Sequence, residues 1–184
     1  MWYNVPQAFS KEYCKEIVDY FSKKETVDAT IEGSNVNKDI RDTKIKFTED
    51  IANNNSFENN LHMSMGRLIK RVNSEWYNYD LNYNEAPQFG VYESETKSFY
   101  DWHEDVLHQS TNKQLRKLSV VILLNDKYNY TGGHLELDHS EKPQNFNKAG
   151  DALFFPSSLR HRVTPVETGT RYSLVCWSNG PPWR

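Results

Sequence analysis

From Gln88 to the C-terminus the sequence breaks into short β-type runs divided by glycine turns, and no helical period survives in that half. The candidate strands are Gln88–Glu93, Phe99–Asp105, Lys117–Leu124, Gly133–Asp138, Ala152–Phe155, Arg160–Val166 and Arg171–Ser178. Thr131-Gly132-Gly133, Lys148-Ala149-Gly150-Asp151 and Glu167-Thr168-Gly169 supply turn chemistry between them. Strands at this density, with helices only beforehand, predict a sandwich or jelly roll buttressed by an N-terminal helical layer.

Two helices are predicted in that layer. Ser10 is placed to cap the first, whose apolar positions Tyr13, Ile17, Val18 and Phe21 recur at helical spacing and which should end near Lys23-Lys24. The second should run from Phe57 to about Tyr79, with Phe57, Leu61, Met65, Leu68, Ile69, Val72 and Trp76 on one stripe. The segments Ile31–Asn37 and Ile51–Asn55 read as loops. A length of 184 residues fits one domain, with the helical layer over about 1–87 and the β core over about 88–184. The aromatic content of 14% suits a strand-rich fold.

Several function classes lose support from composition. A formal net charge of −3 without a Lys/Arg run offers no footprint for a nucleic-acid backbone. The longest apolar run, Val120–Leu124, is far too short to span a membrane, and the N-terminal residues lack the pattern of a secretory signal. Cys14 and Cys176 are too few for a disulfide framework and lack zinc-site spacing, so a reducing, cytoplasmic setting is expected.

The fragment carrying chemistry is Tyr100-Asp101-Trp102-His103-Glu104-Asp105. Residues i and i+2 of a strand share a face, which sets an imidazole beside a carboxylate while Glu104 points away. By itself such a triplet is common on surface strands. Far downstream His161 precedes a tight turn, and Arg171 follows on the returning strand with inward parity. Two histidines and one carboxylate on one side of an octahedral ion form the facial triad of non-heme Fe(II) oxygenases, which leaves positions for a bidentate 2-oxo acid and dioxygen. The distal carboxylate of that acid needs a fixed cation, and the planar guanidinium of Arg171 matches it. Trp177 shares strand parity with Arg171 and is a candidate for the substrate-side wall.

From about Gln88 to Arg184 the chain resembles the Fe(II)- and 2-oxoglutarate-dependent oxygenase superfamily, in particular its prolyl 4-hydroxylase-like subgroup. The resemblance rests on Tyr100, His103 and Asp105, on Leu118-Ser119, on Tyr130-Thr131-Gly132-Gly133, on Gly150-Asp151 with Phe155-Pro156, and on His161, Val163, Pro165-Val166 and Arg171. The N-terminal half is similar only through its two helices and Asp39-Ile40-Arg41. This resemblance implies a double-stranded β-helix, Fe(II) on His103, Asp105 and His161, and 2-oxoglutarate on Arg171 with a hydroxyl from Tyr92. It also implies hydroxylation of an unactivated C–H bond, of a peptidyl side chain, while 2-oxoglutarate becomes succinate. Arg41, Tyr92 and the Ser94–Ser98 loop are where substrate contacts are expected. The departure is His134, where relatives often carry an acidic or apolar residue, and it is not read as a ligand.

The alternatives are distinct. A small-molecule hydroxylase of the same superfamily is the alternative to a peptidyl substrate, whereas a nucleic-acid dealkylase usually shows a second Arg where this chain has Trp177. A non-catalytic jelly-roll module would need neither the triad nor Arg171. A cupin would show His-x-His in place of His103-Glu104-Asp105. Surface or capping roles are the expectation for His62, His108 and His139, and bend-setting for Asp151. The closing Gly180–Arg184 segment should wrap the sheet edge.

Overall fold

The computed structural model describes residues 2–30, 36–48, 56–106, 114–138 and 145–183. The predicted loop Ile51–Asn55, most of Ile31–Asn37, and His108 and His139 lie outside them.

Helix α1 spans Lys11–Phe21, and Ser10 caps it as expected: its backbone is extended and its Oγ accepts from the Tyr13 N–H, a contact worth about 1 kcal/mol. The helix stops at Ser22, a residue before Lys23, and Cys14, Ile17 and Phe21 are its buried face. Lys24 instead reaches the buried Glu58 of the second helix, with Nζ 2.7 Å from Oε1.

Helix α2 spans Ser56–Val72 and buries Leu61, Met65, Leu68, Ile69 and Val72. It does not continue as an α-helix to Tyr79. Asn73–Tyr77 forms a wider π turn that ends at Asn78 in the left-handed region, φ 51°. The Asn73 side chain explains the stop. Its Oδ1 accepts from the Tyr79 N–H and its Nδ2 donates to the Tyr79 carbonyl, so a local side-chain clamp replaces the helical ladder. Trp76 therefore leaves the buried stripe; it is 56% exposed and stacks on Tyr3 at 4.1 Å.

Thirteen strands are described: β1 (Tyr3–Val5), β2 (Val27–Asp28), β3 (Arg41–Asp42), β4 (Lys44–Phe47), β5 (Tyr83–Asn84), β6 (Gln88–Glu93), β7 (Phe99–His103), β8 (Leu115–Leu123), β9 (Tyr130–Gly132), β10 (Leu135–Leu137), β11 (Ala152–Pro156), β12 (His161–Val163) and β13 (Val166–Gly180). The larger sheet runs β1-β11-β8-β13-β6-β4-β2, with β5 and β9 also pairing to β13, and the smaller runs β10-β12-β7-β3. This is the jelly-roll core expected from the strand pattern.

Alternation along the central strands divides the core in two. On β8, Leu118, Val120 and Ile122 face the helices, and on β13 Leu174 and Cys176 do the same. Val121 of β8, Leu153 and Phe155 of β11, and Tyr92 of β6 belong instead to a second cluster with Leu135, Leu137 and Val163 of the smaller sheet. Both faces of β8 are covered, which is why it reads as a continuous apolar run.

Two predicted strands are corrected. Arg160–Val166 is interrupted after Val163, where Pro165 accepts a hydrogen bond from the Gly133 N–H at 3.0 Å and has no N–H to extend the ladder. Glu167-Thr168-Gly169 does not separate strands. It is a kink inside β13, where pairing passes from β9 to β6 and β8. Gly169 sits at φ +71°, and a Cβ there would lie 2.2 Å from the Asn129 carbonyl oxygen. Strands β1 to β5 and β9 were not foreseen, because runs of two to four residues show no period and exist only through their partners.

Asp151 is buried and accepts backbone N–H groups from Gln7, Asn147 and Lys148. It thus ties the N-terminal segment to the turn before β11. Near the C-terminus Trp183 packs edge-on to Tyr79 at 4.8 Å, with Lys117 Nζ 4.1 Å above its ring.

Candidate metal centre

The pairing of β12 with β7 sets His161 directly opposite His103, and Asp105 follows two residues beyond the end of β7. His103 Nε2 lies 3.6 Å from Asp105 Oδ1, and His161 Nε2 lies 3.5 Å from Asp105 Oδ2. One ligand atom from each residue falls within 4.8 Å of the others. The His103 strand ends before Asp105, so the carboxylate is aimed by a backbone bond from the Asp105 N–H to the Ser157 carbonyl, 2.9 Å, rather than by the β ladder.

Proton positions follow from the partners. His103 Nδ1 is 2.7 Å from the Asp101 carbonyl and His161 Nδ1 is 2.8 Å from the Leu159 carbonyl. A carbonyl only accepts, so both Nδ1 atoms carry a proton, which leaves Nε2 as the atom of each ring that can ligate a metal. Burial holds the His161 pKa below the usual imidazole value, with Asp105 acting in the opposite sense and His103 in the same sense. Burial alone would raise Asp105, but the charges of His161 and His103 and hydrogen bonds from His103 and Ser119 outweigh it and keep the carboxyl well below the usual range. With Nδ1 of each ring bonded to a carbonyl, both Nε2 atoms converge on the Asp105 carboxylate, and the N, N, O donor set they offer a cation on one side suits Fe(II).

Supporting groups come from the neighbouring strands. Ser119 Oγ donates to Asp105 Oδ2 at 2.7 Å and lies 2.9 Å from Ser157 Oγ. Tyr100 stacks on His103 with centroids 3.4 Å apart, and Phe155 lies 4.6 Å from His161. Arg41, on β3 beside β7, holds its guanidinium 4.4 Å from the Tyr100 ring.

Arg171 is 1% exposed and is among the largest fully buried side chains. One of its terminal nitrogens donates to Ser173 Oγ at 3.1 Å, while its Nε and other terminal nitrogen have no partner among the described residues. Unpaired guanidinium donors in a closed core are costly, and a bound carboxylate removes that cost. Tyr92 is paired with Arg171 across β6 and β13, its ring centroid 5.0 Å from the guanidinium. One cavity is lined by His103, Asp105 and His161 together with Arg171, Tyr92, Arg41 and Trp177.

Every residue singled out from the sequence as a ligand or anchor therefore reaches this cavity. The Ser94–Ser98 segment does not; it forms the turn from β6 to β7, closed by a bond from the Ser98 N–H to the Glu93 carbonyl. His134 is not with the triad and instead accepts from Lys127 Nζ at Nδ1, 2.6 Å. His62 contacts Thr48 Oγ1 at 2.7 Å. Ser157 and Arg116 were not singled out from the sequence, and Ser119 entered only as part of the Leu118-Ser119 motif, with no role at the site. Arg116 covers the Trp177 indole at 4.0 Å and is held by both carboxylate oxygens of Glu85. Strand parity on β8 was the available signal for Ser119, whereas Arg116 had none.

The sequence profile of the 2OG-Fe(II) oxygenase superfamily matches residues 87–179, half of the chain and the part that carries this cavity's metal-side residues. The chain belongs to that superfamily. Among curated relatives, a PKHD-type hydroxylase of Thermosynechococcus vestitus is 40% identical over 81 residues, 42% of this chain and 36% of that protein. A PKHD-type hydroxylase of Teredinibacter turnerae is 34% identical over 95 residues, 50% and 41% respectively. The matches thus span well under half the length of these relatives. Among solved structures, a Pseudomonas putida prolyl-4-hydroxylase superposes with TM-score 0.74 at 19% identity, over 98% of this chain and 93% of the other. A viral collagen prolyl hydroxylase from Paramecium Bursaria Chlorella virus-1 gives 0.73 at 15%, over 97% and 96%. At those identities the likeness is one of fold, the superfamily's double-stranded β-helix.

The superfamily's cofactors, Fe(II), 2-oxoglutarate and dioxygen, suit the donor set and the unpaired guanidinium. The glycine pair before β10 also gains a reason. Gly133 sits at φ +55°, and a Cβ there would stand 3.0 Å from Arg171 Cδ and 3.0 Å from Val166 Cγ2. Gly133→Ala should displace the Arg171 stem and raise the 2-oxoglutarate concentration needed for half-saturation by about tenfold, the effect of losing one charge-assisted bond. Titrating 2-oxoglutarate into the Fe(II)-loaded variant checks this, and an unchanged midpoint would refute it.

Proposed function

We propose that this chain is an Fe(II)- and 2-oxoglutarate-dependent dioxygenase that hydroxylates an unactivated C–H bond of a peptidyl side chain. The observation carrying this reading is the placement of the triad and an unpaired, buried guanidinium on the walls of one cavity. His103, Asp105 and His161 would hold the iron, and Arg171 with Tyr92 would bind the distal carboxylate of 2-oxoglutarate. When bound, the pair supplies the oxidising chemistry, with 2-oxoglutarate decarboxylated to succinate as dioxygen is consumed. The chain's own residues orient and exclude. Ser119 and Ser157 fix the carboxylate of Asp105, the two carbonyls fix the imidazole tautomers, and the apolar wall of Val121, Leu135 and Val163 keeps water out.

A peptide is favoured by donors on the substrate side. Arg41 Nε and Trp177 Nε1 are buried without an acceptor among the described residues, and backbone carbonyls would supply acceptors for both. A prolyl hydroxylase from Trichoplax adhaerens, solved with a hypoxia inducible factor peptide fragment, shares the fold with TM-score 0.75 at 18% identity, over 96% of this chain and 82% of the other. The helical layer and the β core act as one unit in this reading, supported by the apolar cluster they share. A cytoplasmic setting is supported by Cys14 and Cys176, both buried and free. No helix among the described residues is long and apolar enough to cross a membrane.

The test begins anaerobically, with Fe(II) and 2-oxoglutarate added together. A weak visible charge-transfer band should appear, and air should then yield succinate, stimulated by a peptide from a proline-containing library. Stimulation by metabolites alone would move the substrate to small molecules. Absence of both band and succinate would leave a jelly-roll binding module.

A further inference from the structure

We propose that Arg41 binds a carboxylate of the substrate, so that the molecule hydroxylated carries an anionic group, its C-terminal carboxylate or an acidic side chain, beside the residue attacked. The word substrate rests on the oxygenase reading above; the preference of Arg41 for an anion does not.

The fold treats its arginines in two ways. Arg116 and Arg162, both half-buried, are matched by carboxylates of the chain itself, Arg116 by both oxygens of Glu85 and Arg162 by Glu136 at 2.8 Å. Arg67, Arg71 and Arg160 are exposed, where water screens the charge. Only Arg41 and Arg171 are buried among the described residues, and neither has a carboxylate partner there. Both line the cavity of the triad. A buried charge left uncompensated is costly, and Arg171 has an anion assigned to it in the distal carboxylate of 2-oxoglutarate. Arg41 poses the same problem on the other side, since it comes from the smaller sheet and Arg171 from the larger.

The placement of Arg41 is set by β pairing. It stands opposite Tyr100 of β7, three residues before His103, and its guanidinium lies 4.4 Å from the Tyr100 ring. One terminal nitrogen donates to the Thr30 carbonyl at 3.3 Å, while Nε is buried with no acceptor among the described residues. A ring face and one long bond to a neutral carbonyl satisfy part of the guanidinium and leave most of its charge. Asp105 is the one carboxylate lining the cavity among the described residues, and its oxygens are turned to His103, His161 and Ser119. In the loaded site Fe(II) and Arg171 together balance Asp105 and the two carboxylates of 2-oxoglutarate, so Arg41 is the charge left over. The neutral indole N–H of Trp177 asks only for a peptide carbonyl. At Arg41 a carbonyl would meet the hydrogen bond and leave the charge, whereas a carboxylate meets both.

The probes are proline-containing tripeptides prepared as free acids and as amides, and again as amides with Asp or Asn beside the proline. Each set is dialysed to equilibrium, without oxygen, against the intact chain with Fe(II) and saturating 2-oxoglutarate, which keeps Arg171 occupied, and retained peptide is measured by mass spectrometry. An acidic set should be retained about tenfold or more over its neutral counterpart, the effect of a charge-assisted bond. Free acid over amide names a C-terminal carboxylate, and Asp over Asn names an acidic side chain. Arg41→Gln should abolish the preference and Arg41→Lys should keep part of it, because a point charge replaces the planar fork; thermal melts confirm that each variant is folded. The wild-type comparison decides the matter even where a variant does not fold. Equal retention of acidic and neutral sets, retention of neither, or a preference that survives in Arg41→Gln overturns the role of Arg41. Succinate assays separate the two readings. Neutral and acidic peptides that stimulate succinate formation equally would remove the anion site and leave the oxygenase, whereas acid retention through Arg41 without succinate would keep the anion site and remove the oxygenase.

Discussion

His161→Ala should yield a folded chain that no longer retains iron and forms no succinate. The imidazole is buried, and its Nε2 is one of three donor atoms gathered within 4.8 Å. Without it, one imidazole and one carboxylate remain, which is too little to hold Fe(II) against its water shell. Changes to groups that only orient ligands cost about 10–100-fold in metal affinity, and removal of a ligand should exceed that. The fold should survive, because the side chain's own hydrogen bond is to the Leu159 carbonyl two residues away, and truncation costs on the order of 1–3 kcal/mol. Iron retained after anaerobic loading and desalting is the measurement, with a circular-dichroism melt alongside. His62→Ala, whose imidazole lies 2.7 Å from Thr48 Oγ1 and does not line the triad's cavity, serves as the control that keeps its metal. Stoichiometric iron in His161→Ala would mean the ligand set is misassigned.

Arg171→Gln should separate metal from co-substrate. Iron retention should be unchanged, since the guanidinium is not a donor, while 2-oxoglutarate binding should fall steeply. Removing one partner of a buried charge pair costs about 2–5 kcal/mol, or roughly 30-fold to several thousand-fold in affinity. Arg171→Lys should recover only part of this, because a point charge replaces a planar fork. The midpoint of a 2-oxoglutarate titration of the iron-loaded chain reads both variants. Equal midpoints for wild type and Arg171→Gln would move the carboxylate anchor to another residue. The assignment concerns a group that is costly when alone, so Arg171→Gln should also melt no lower than the wild type in the absence of 2-oxoglutarate, where its unpaired donors are unsatisfied.

Much of this architecture depends on information that is local along the chain. Ser10 as a cap, the buried faces of α1 and α2, and the long central strands follow from propensity and period, and period 2 also explains why Arg171, Ser173, Val175 and Trp177 share one wall. His103, Asp105, His161 and Arg171 could be named because residue type and strand parity restrict where such chemistry can be gathered. Other features exist only in three dimensions. The opposition of His161 to His103 is set by the register of β12 on β7, and the aim of Asp105 by Ser119 and Ser157 on β8 and after β11. The stop of α2 at Asn73, the kink at Gly169, the fit of Gly133 against Arg171 and the Arg116 cover on Trp177 likewise belong to tertiary packing. Each is a contact between residues whose meeting no repeat along the chain encodes, and so only the folded chain could decide it.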